Sequence, residues 1–226
     1  MDPWLAYILS YLYGSIPFSY IVAYLWKRVD ITREGTKNVG ASNVGLVTGS
    51  TAAFFIALIL DMSKGVIPTL LWDPIAGAFG VVGHIFSIFM IPFKFKFRRI
   101  RSGLGMAATI GWIFLNAWQV GVIALLLFAF FYIIMNPTDW KRNLGKWYAI
   151  EEGNIETIFA VGGAGIIYTA FFNPPADVKT AMAIILVAVF YAYARVIRSQ
   201  IKEFWDWKKS EEYLEHLEEV QKEERE

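Results

Sequence analysis

Residues 110–135 read IGWIFLNAWQVGVIALLLFAFFYIIM, a run with no charged residue and only two amides, Asn116 and Gln119. A core helix of a soluble domain needs far less apolar length. Runs of about 18 or more such residues identify membrane spans. The rest of the chain agrees: 56% of its 226 residues are hydrophobic and 18% are charged, with a mean hydropathy of +0.44. Soluble domains have about 45–50% apolar and about 25% charged residues. The composition implies an all-α integral membrane protein.

The same run poses a problem of length. Extended back to Gly105 it covers 105–135, about 46 Å as one helix at roughly 1.5 Å per residue. The hydrocarbon core is only about 30 Å thick. The expectation is therefore two short helices meeting around Gln119 and Gly121. With that split, about seven transmembrane helices are predicted, near 3–26, 51–72, 74–92, 105–120, 121–135, 156–172 and 177–195. Lys and Arg cluster in every second connection: Lys27, Arg28, Arg33 and Lys37; Lys94, Lys96, Arg98, Arg99 and Arg101; Lys141, Arg142 and Lys146; and the tail from Arg195. The alternate connections, 72–74 and 171–177, contain none. Positive charge marks the cytoplasmic side, which puts the N-terminus outside and the C-terminus in the cytoplasm. The start, MDPWLAYILSYLYGSIPF, lacks the basic segment of a signal peptide and reads as a retained first span.

Residues 1–197 form the polytopic domain in this reading. Residues 198–226 form a charged tail with Phe204, Trp207, Leu214 and Leu217 at helical spacings, suited either to an amphipathic helix at the membrane surface or to a plain charged helix. There is no cysteine, which excludes disulfides and thiolate chemistry. The only histidines, His84 and His216, leave little for a histidine-rich metal site.

Polar groups inside spans are costly and usually functional. The candidates are Asp61, Ser63, Lys64, His84, Asn116 and Gln119. Asp61 and Lys64 lie three apart and can neutralise each other on one helix face; such a pair either serves a site or fixes helix register. Gly65 and Pro68 beyond them suggest a helix that breaks to line a cavity. His84 shares a face with Gly80 and Gly83, where a neighbour can approach closely; it is either a buried hydrogen-bonded residue or a group acting on a hydroxyl. Two segments suit anions. GTKNVGASN (35–43) offers backbone N–H groups, a lysine and side-chain donors and ends just before a span, where a helix N-terminus can face the ligand. FKFKFRRIRSGLGMAAT (93–109) supplies five cations, although such loops also carry Lys and Arg for topology alone.

GSIPFSYIVA (14–23), REGTKNVGASN (33–43), DMSKG (61–65), GHIFSIF (83–89) and SGLGMAAT (102–109) occur in that order. The series resembles the bacterial acyl-phosphate:glycerol-3-phosphate acyltransferases, the PlsY family, over roughly residues 10–110. The family's pattern runs approximately GSIPF, R-x-G-S-G-N-x-G-A-T-N, D-x-x-K-G, G-H-x-F-P and F-K-G-G-K-G-V-A-T. The resemblance implies a seven-helix enzyme moving an acyl group from acyl phosphate to the 1-hydroxyl of glycerol 3-phosphate, with lysophosphatidate and phosphate as products. It implies no cofactor, no metal, membrane lipids as surroundings and no nucleic acid, and leaves the oligomeric state open. By the same resemblance His84, Ser42 and Asn43 would be catalytic. Arg33, Gly35, Thr36, Lys37, Asn38, Gly40, Lys64, Arg101, Gly103 and Gly105 would bind phosphate, and Ser15 and Asp61 would position them. The H-x-x-x-x-D dyad of the other acyltransferase class is absent, since Phe89 and Gln221 stand five after the histidines.

The chain departs from the pattern in places. Leu104 stands where a family lysine falls, Ser102 where a glycine falls, and only Arg101 remains for the first lysine. No arginine follows Asn43 closely, and Ile197 and Gln200 occupy the places of a late histidine and asparagine. These departures leave three readings: a divergent enzyme, a non-catalytic paralogue that binds phospholipid precursors, or an anion carrier whose polar residues line a pathway.

Overall fold

The computed structural model describes residues 2–90, 102–135 and 155–208. All of the regular structure among these described residues is helical. Helix α1 (Pro3–Ser15) starts on a strong signal: the Asp2 carboxylate accepts from Trp4 N at 2.9 Å, and Pro3 occupies the first turn. It stops at Ser15 because Ile16 precedes Pro17 and is held extended. Helix α2 (Phe18–Lys27) then continues to Arg28, which turns left-handed. The single span expected over 3–26 is thus two helices joined at Ile16–Pro17.

Helix α3 (Ala41–Thr48) is a short helix inside the region read as a loop, closed by left-handed Gly49. The helix N-terminus beyond GTKNVG therefore belongs to α3 and not to the following span. Helix α4 (Thr51–Leu71) is capped by Ser50 Oγ, which accepts from Ala53 N at 3.2 Å. It runs unbroken through Gly65 and Pro68, against the expected break. Proline removes one helical hydrogen bond, and the carbonyl left over, that of Lys64, faces Gly80 of the neighbouring helix. That neighbour, α5 (Pro74–Ile85), starts at Asp73, whose Oδ1 accepts from Ala76 N at 2.7 Å. A 3-10 turn, Ile88–Met90, follows it.

Helices α6 (Met106–Asn116) and α7 (Trp118–Met135) confirm that 105–135 is divided. The break falls at Ala117, slightly before the expected Gln119. Asn116 Nδ2 donates back to Trp112 O at 2.9 Å, a side-chain bond that competes with continued helix. Helices α8 (Ile155–Phe172) and α9 (Ala176–Lys208) complete the order. By length and apolarity Pro3–Lys27, Thr51–Leu71 and Ala176–Arg195 can cross a membrane. Four shorter apolar helical stretches, Pro74–Met90, Met106–Asn116, Trp118–Leu127 and Gly162–Phe172, fall where the other expected spans lie.

Packing is most extensive for α1 on α5, α4 on α6, α7 on α8 and α4 on α5. Glycines permit it. A Cβ added at Gly14 would lie 2.0 Å from Gly80 O, at Gly83 2.2 Å from Tyr11 O, at Gly65 2.3 Å from Ala108 O and at Gly111 2.2 Å from Met62 O. Small residues at such crossings are what let membrane helices gain close contact in place of hydrophobic exclusion. The outer surface is apolar: Leu25, Ile59, Leu70, Phe114, Leu125, Ile166, Phe171 and Val187 are all well exposed, as lipid-facing side chains should be. The charged and amide groups Asn43, Asp61, Lys64 and His84 are buried. The chain divides into two compact units, Met1–Ala192 and Tyr193–Glu226. Of the tail, residues 209–226 lie outside the described residues, as do the side chains of Ile197 and Gln200.

Candidate active site

Asp61 and Lys64 sit on one face of α4, and α5 carries His84 up against them. Lys64 Nζ lies 2.9 Å from Asp61 Oδ1 and 2.7 Å from His84 Nδ1. His84 Nδ1 is 3.5 Å from the same carboxylate oxygen. The other oxygen, Asp61 Oδ2, accepts from Ser19 Oγ at 2.5 Å. The Phe18 ring covers the ammonium, its centroid 5.2 Å from Nζ, a stabilising placement for a desolvated cation. Asp61 and Lys64 are almost completely buried. An unpaired charge there would cost several kcal/mol, which explains why carboxylate, ammonium and imidazole occur together.

Around His84 the cleft is lined by Ser15, Ile16, Pro17, Val39, Lys64, Ser87, Met90, Ser102 and Gly103. The α1–α2 break, the loop before α3, the end of α5 and the approach to α6 all meet here. Non-helical backbone at membrane depth is tolerated where it lines such a cavity. Three serines brace it. Ser15 Oγ donates to Tyr11 O at 2.8 Å, Ser87 Oγ donates to Ser15 O at 2.5 Å, and Ser102 Oγ donates to Ile85 O. Gly103 lies against the imidazole: a Cβ there would be 2.0 Å from His84 Nε2. Gly105, at φ 87°, opens α6 and packs on Ile85.

The loop before α3 is organised by Asn43. Its Nδ2 donates to Ile31 O at 3.0 Å, Glu34 O at 3.2 Å and Asn38 O at 2.9 Å, and its Oδ1 accepts from Thr36 N at 3.0 Å. Gly35 and Lys37 are both left-handed, φ 59° each. The loop sits on an apolar base of Val22, Ile31, Val39, Val44, Ala57 and Met90.

Of the predicted residues, Ser15, Lys64, His84 and Gly103 come together at the cleft, with Asp61 directly behind. Two of the expected residues are engaged with neighbouring groups of the protein itself. Asn43 has both ends of its amide bonded within its own loop and holds that loop in shape. Lys64 lines the cleft with its ammonium against Asp61 and His84 and under the Phe18 ring. Arg33 is exposed and pairs with Asp30 at 3.2 Å. Lys37 is exposed, Asn38 is buried, Thr36 and Ser42 are half-buried, and Gly40 caps α3; none of these lines the cleft. Arg101 lies outside the described residues. Leu104, in the place of a family lysine, is buried at 5% exposure.

Sequence reasoning passed over Phe18, Ser19 and Ser87, and took Ser102 only as a lost glycine. Ser15 and Ser19 are four apart in GSIPFSY, a helical repeat of hydroxyls inside an apolar run, and that spacing was the available signal.

The fold and this buried polar cleft define a polytopic integral membrane protein with a built site. The sequence profile of the glycerol-3-phosphate acyltransferase family matches residues 4–203, and the chain belongs to that family. It is 39% identical over 132 residues to a glycerol-3-phosphate acyltransferase of Thermotoga petrophila, covering 54% of this chain and 63% of that protein. It is 27% identical over 209 residues to one from Erythrobacter litoralis, covering 89% and 93%. The matched region thus spans under two-thirds of the Thermotoga relative's length. The fold is that of crystalline PlsY (YgiH), an integral membrane glycerol 3-phosphate acyltransferase, in its glycerol 3-phosphate form: TM-score 0.65, 23% identity, 90% of this chain and 94% of the other. Its lysophosphatidic acid form gives 0.64 and 20%.

Proposed function

We propose that the protein transfers a fatty acyl group from acyl phosphate to the 1-hydroxyl of glycerol 3-phosphate, releasing lysophosphatidate and phosphate. The observation that carries this reading is the cleft, where four segments of the family's motif series converge on one imidazole. Acyl phosphate is already an activated acid. The hydroxyl oxygen attacks the carbonyl carbon, the carbon–oxygen bond to phosphate breaks, and the hydroxyl proton ends on a phosphate oxygen. The protein then has to position two phosphates and stabilise charge on the carbonyl oxygen. His84 acts at the reacting centre. The loop before α3, with Lys37, Asn38 and Ser42, and the basic run ending at Arg101 supply the anion-attracting face. Asp61 and Ser15 hold the cleft in shape. Seven spans, with the basic loops and C-terminus cytoplasmic, put the site at the cytoplasmic face of the cell membrane.

The test is purified protein in nanodiscs with acyl phosphate and glycerol 3-phosphate, following phosphate and lysophosphatidate together. Equimolar appearance of both is expected, with acyl-CoA inactive as donor. Binding of glycerol 3-phosphate without either product would overturn the enzymatic reading in favour of a non-catalytic paralogue. The buried leucine at 104 is the observation on that side.

A further inference from the structure

The contact between Lys64 and His84 determines more than packing. A lysine ammonium can only donate hydrogen bonds. At 2.7 Å from Lys64 Nζ, His84 Nδ1 must therefore be the acceptor, and the proton of the neutral ring sits on Nε2. Nε2 is the nitrogen that faces Gly103 in the cleft. The serine hydroxyls there already donate to Tyr11, Ser15 and Ile85 carbonyls. Their oxygens are left as acceptors and offer an anionic oxygen nothing. Lys64 directs its ammonium at Asp61 and His84 beneath the Phe18 ring, and the imidazole is the cleft group whose N–H is turned toward Gly103, where an oxyanion can meet it. We propose that Asp61 and Lys64 lock His84 into the Nε2–H form, so that His84 serves as a hydrogen-bond donor to a substrate phosphoryl or carbonyl oxygen and not as a base.

Lys64 and Asp61 are then positioning residues. Asp61 holds the ammonium, Ser19 holds Asp61, and the ammonium holds the ring. Gly103 has an assigned part too. Its φ is not left-handed, so alanine is conformationally acceptable there. What forbids a side chain is the 2.0 Å approach to Nε2. The catalytic half of this assignment rests on acyl transfer at the cleft; the tautomer does not.

The experiment has two arms. In the first, protein carrying His216→Gln and labelled with 15N-histidine is studied by NMR in nanodiscs, so that His84 is the sole signal. A bare, hydrogen-bonded Nδ1 and a protonated Nε2 are expected, and glycerol 3-phosphate or inorganic phosphate should move the Nε2 resonance while Nδ1 stays. A proton on Nδ1 overturns the proposal. Lys64→Met should give a mixture of tautomers; should that variant fail to fold, the spectrum of the parent still decides.

The second arm compares His84→Gln with His84→Ala in the coupled phosphate and lysophosphatidate assay. Glutamine places an amide N–H near the position of Nε2 but cannot act as a base. Its kcat should stay within about tenfold of the parent, whereas alanine should lower kcat by roughly 100-fold or more, as loss of one oxyanion donor does, with KM little changed. Equal collapse of both variants overturns the donor role. No turnover by the parent would defeat the acyl-transfer reading, and the first arm would then still decide the tautomer.

Discussion

Asn43 shows how one amide can hold a whole loop. Four backbone groups, at Ile31, Glu34, Asn38 and Thr36, converge on it. Asn43→Ala would leave them without their side-chain partner at roughly 1–3 kcal/mol for each one that stays buried and unpaired, so a melting temperature lowered by many degrees is expected. Gly35→Ala should cost a further kind of strain, about 1–2 kcal/mol for a left-handed residue with a Cβ, because its methyl would lie 2.2 Å from Asn43 Oδ1. Thermal unfolding in detergent checks both. An Asn43→Ala protein that melts normally yet loses turnover would point to a direct role at the site in place of this structural one. The Asp61–Lys64 pairing was legible in advance, since three-residue spacing and the cost of intramembrane charge both demand it. The third member was not. His84 is twenty residues on, across a helix pair, and only the packing of α4 on α5 brings its Nδ1 to the ammonium.

The α1–α5 and α4–α6 crossings depend on the absence of side chains. Gly14→Ala would push a methyl into Gly80 O at 2.0 Å. Neither backbone can yield without separating the helices, so a loss of about 1–3 kcal/mol is expected, together with reduced turnover because Ser15 follows directly. Gly121→Ala on α7 is the contrast: its Cβ would meet only Ile113 Cγ2 at 3.4 Å. That variant should melt at or slightly above the parent temperature, since alanine is the better helix former. Equal effects from the two would remove the distinction. Helix starts at Asp2, Ser50 and Asp73 follow capping chemistry that is written locally in the sequence. The break at Ile16–Pro17 had its signal in the proline. The short α3 was hidden because Gly, Asn and Ser are equally at home in an irregular loop.

At the scale of the molecule, many large apolar side chains among the described residues are exposed while Asn43, Asp61, Lys64 and His84 are buried, and along the sequence the basic connections alternate with uncharged ones. The native chain has no cysteine, so single cysteines report topology cleanly. Glu34→Cys should react with a membrane-impermeant maleimide only from the cytoplasmic side, and Asn173→Cys only from the outside. Labelling of both from one side would refute the proposed orientation.

The placement of Asp61 and Lys64 on one helix also bears on how the protein is made. Helix α4 enters the membrane before α5 exists to supply His84. Either charge alone at the centre of a span costs about 2.5–3.5 kcal/mol during insertion, but the ion pair closes within α4 itself. The helix can therefore present itself to the bilayer as nearly neutral and acquire its third partner later. In a glycosylation-mapping assay of nascent chains ending after α4, Asp61→Asn or Lys64→Met alone should lower insertion efficiency, and the double substitution should restore it. An unchanged efficiency in the single variants would separate the ion pair from biogenesis.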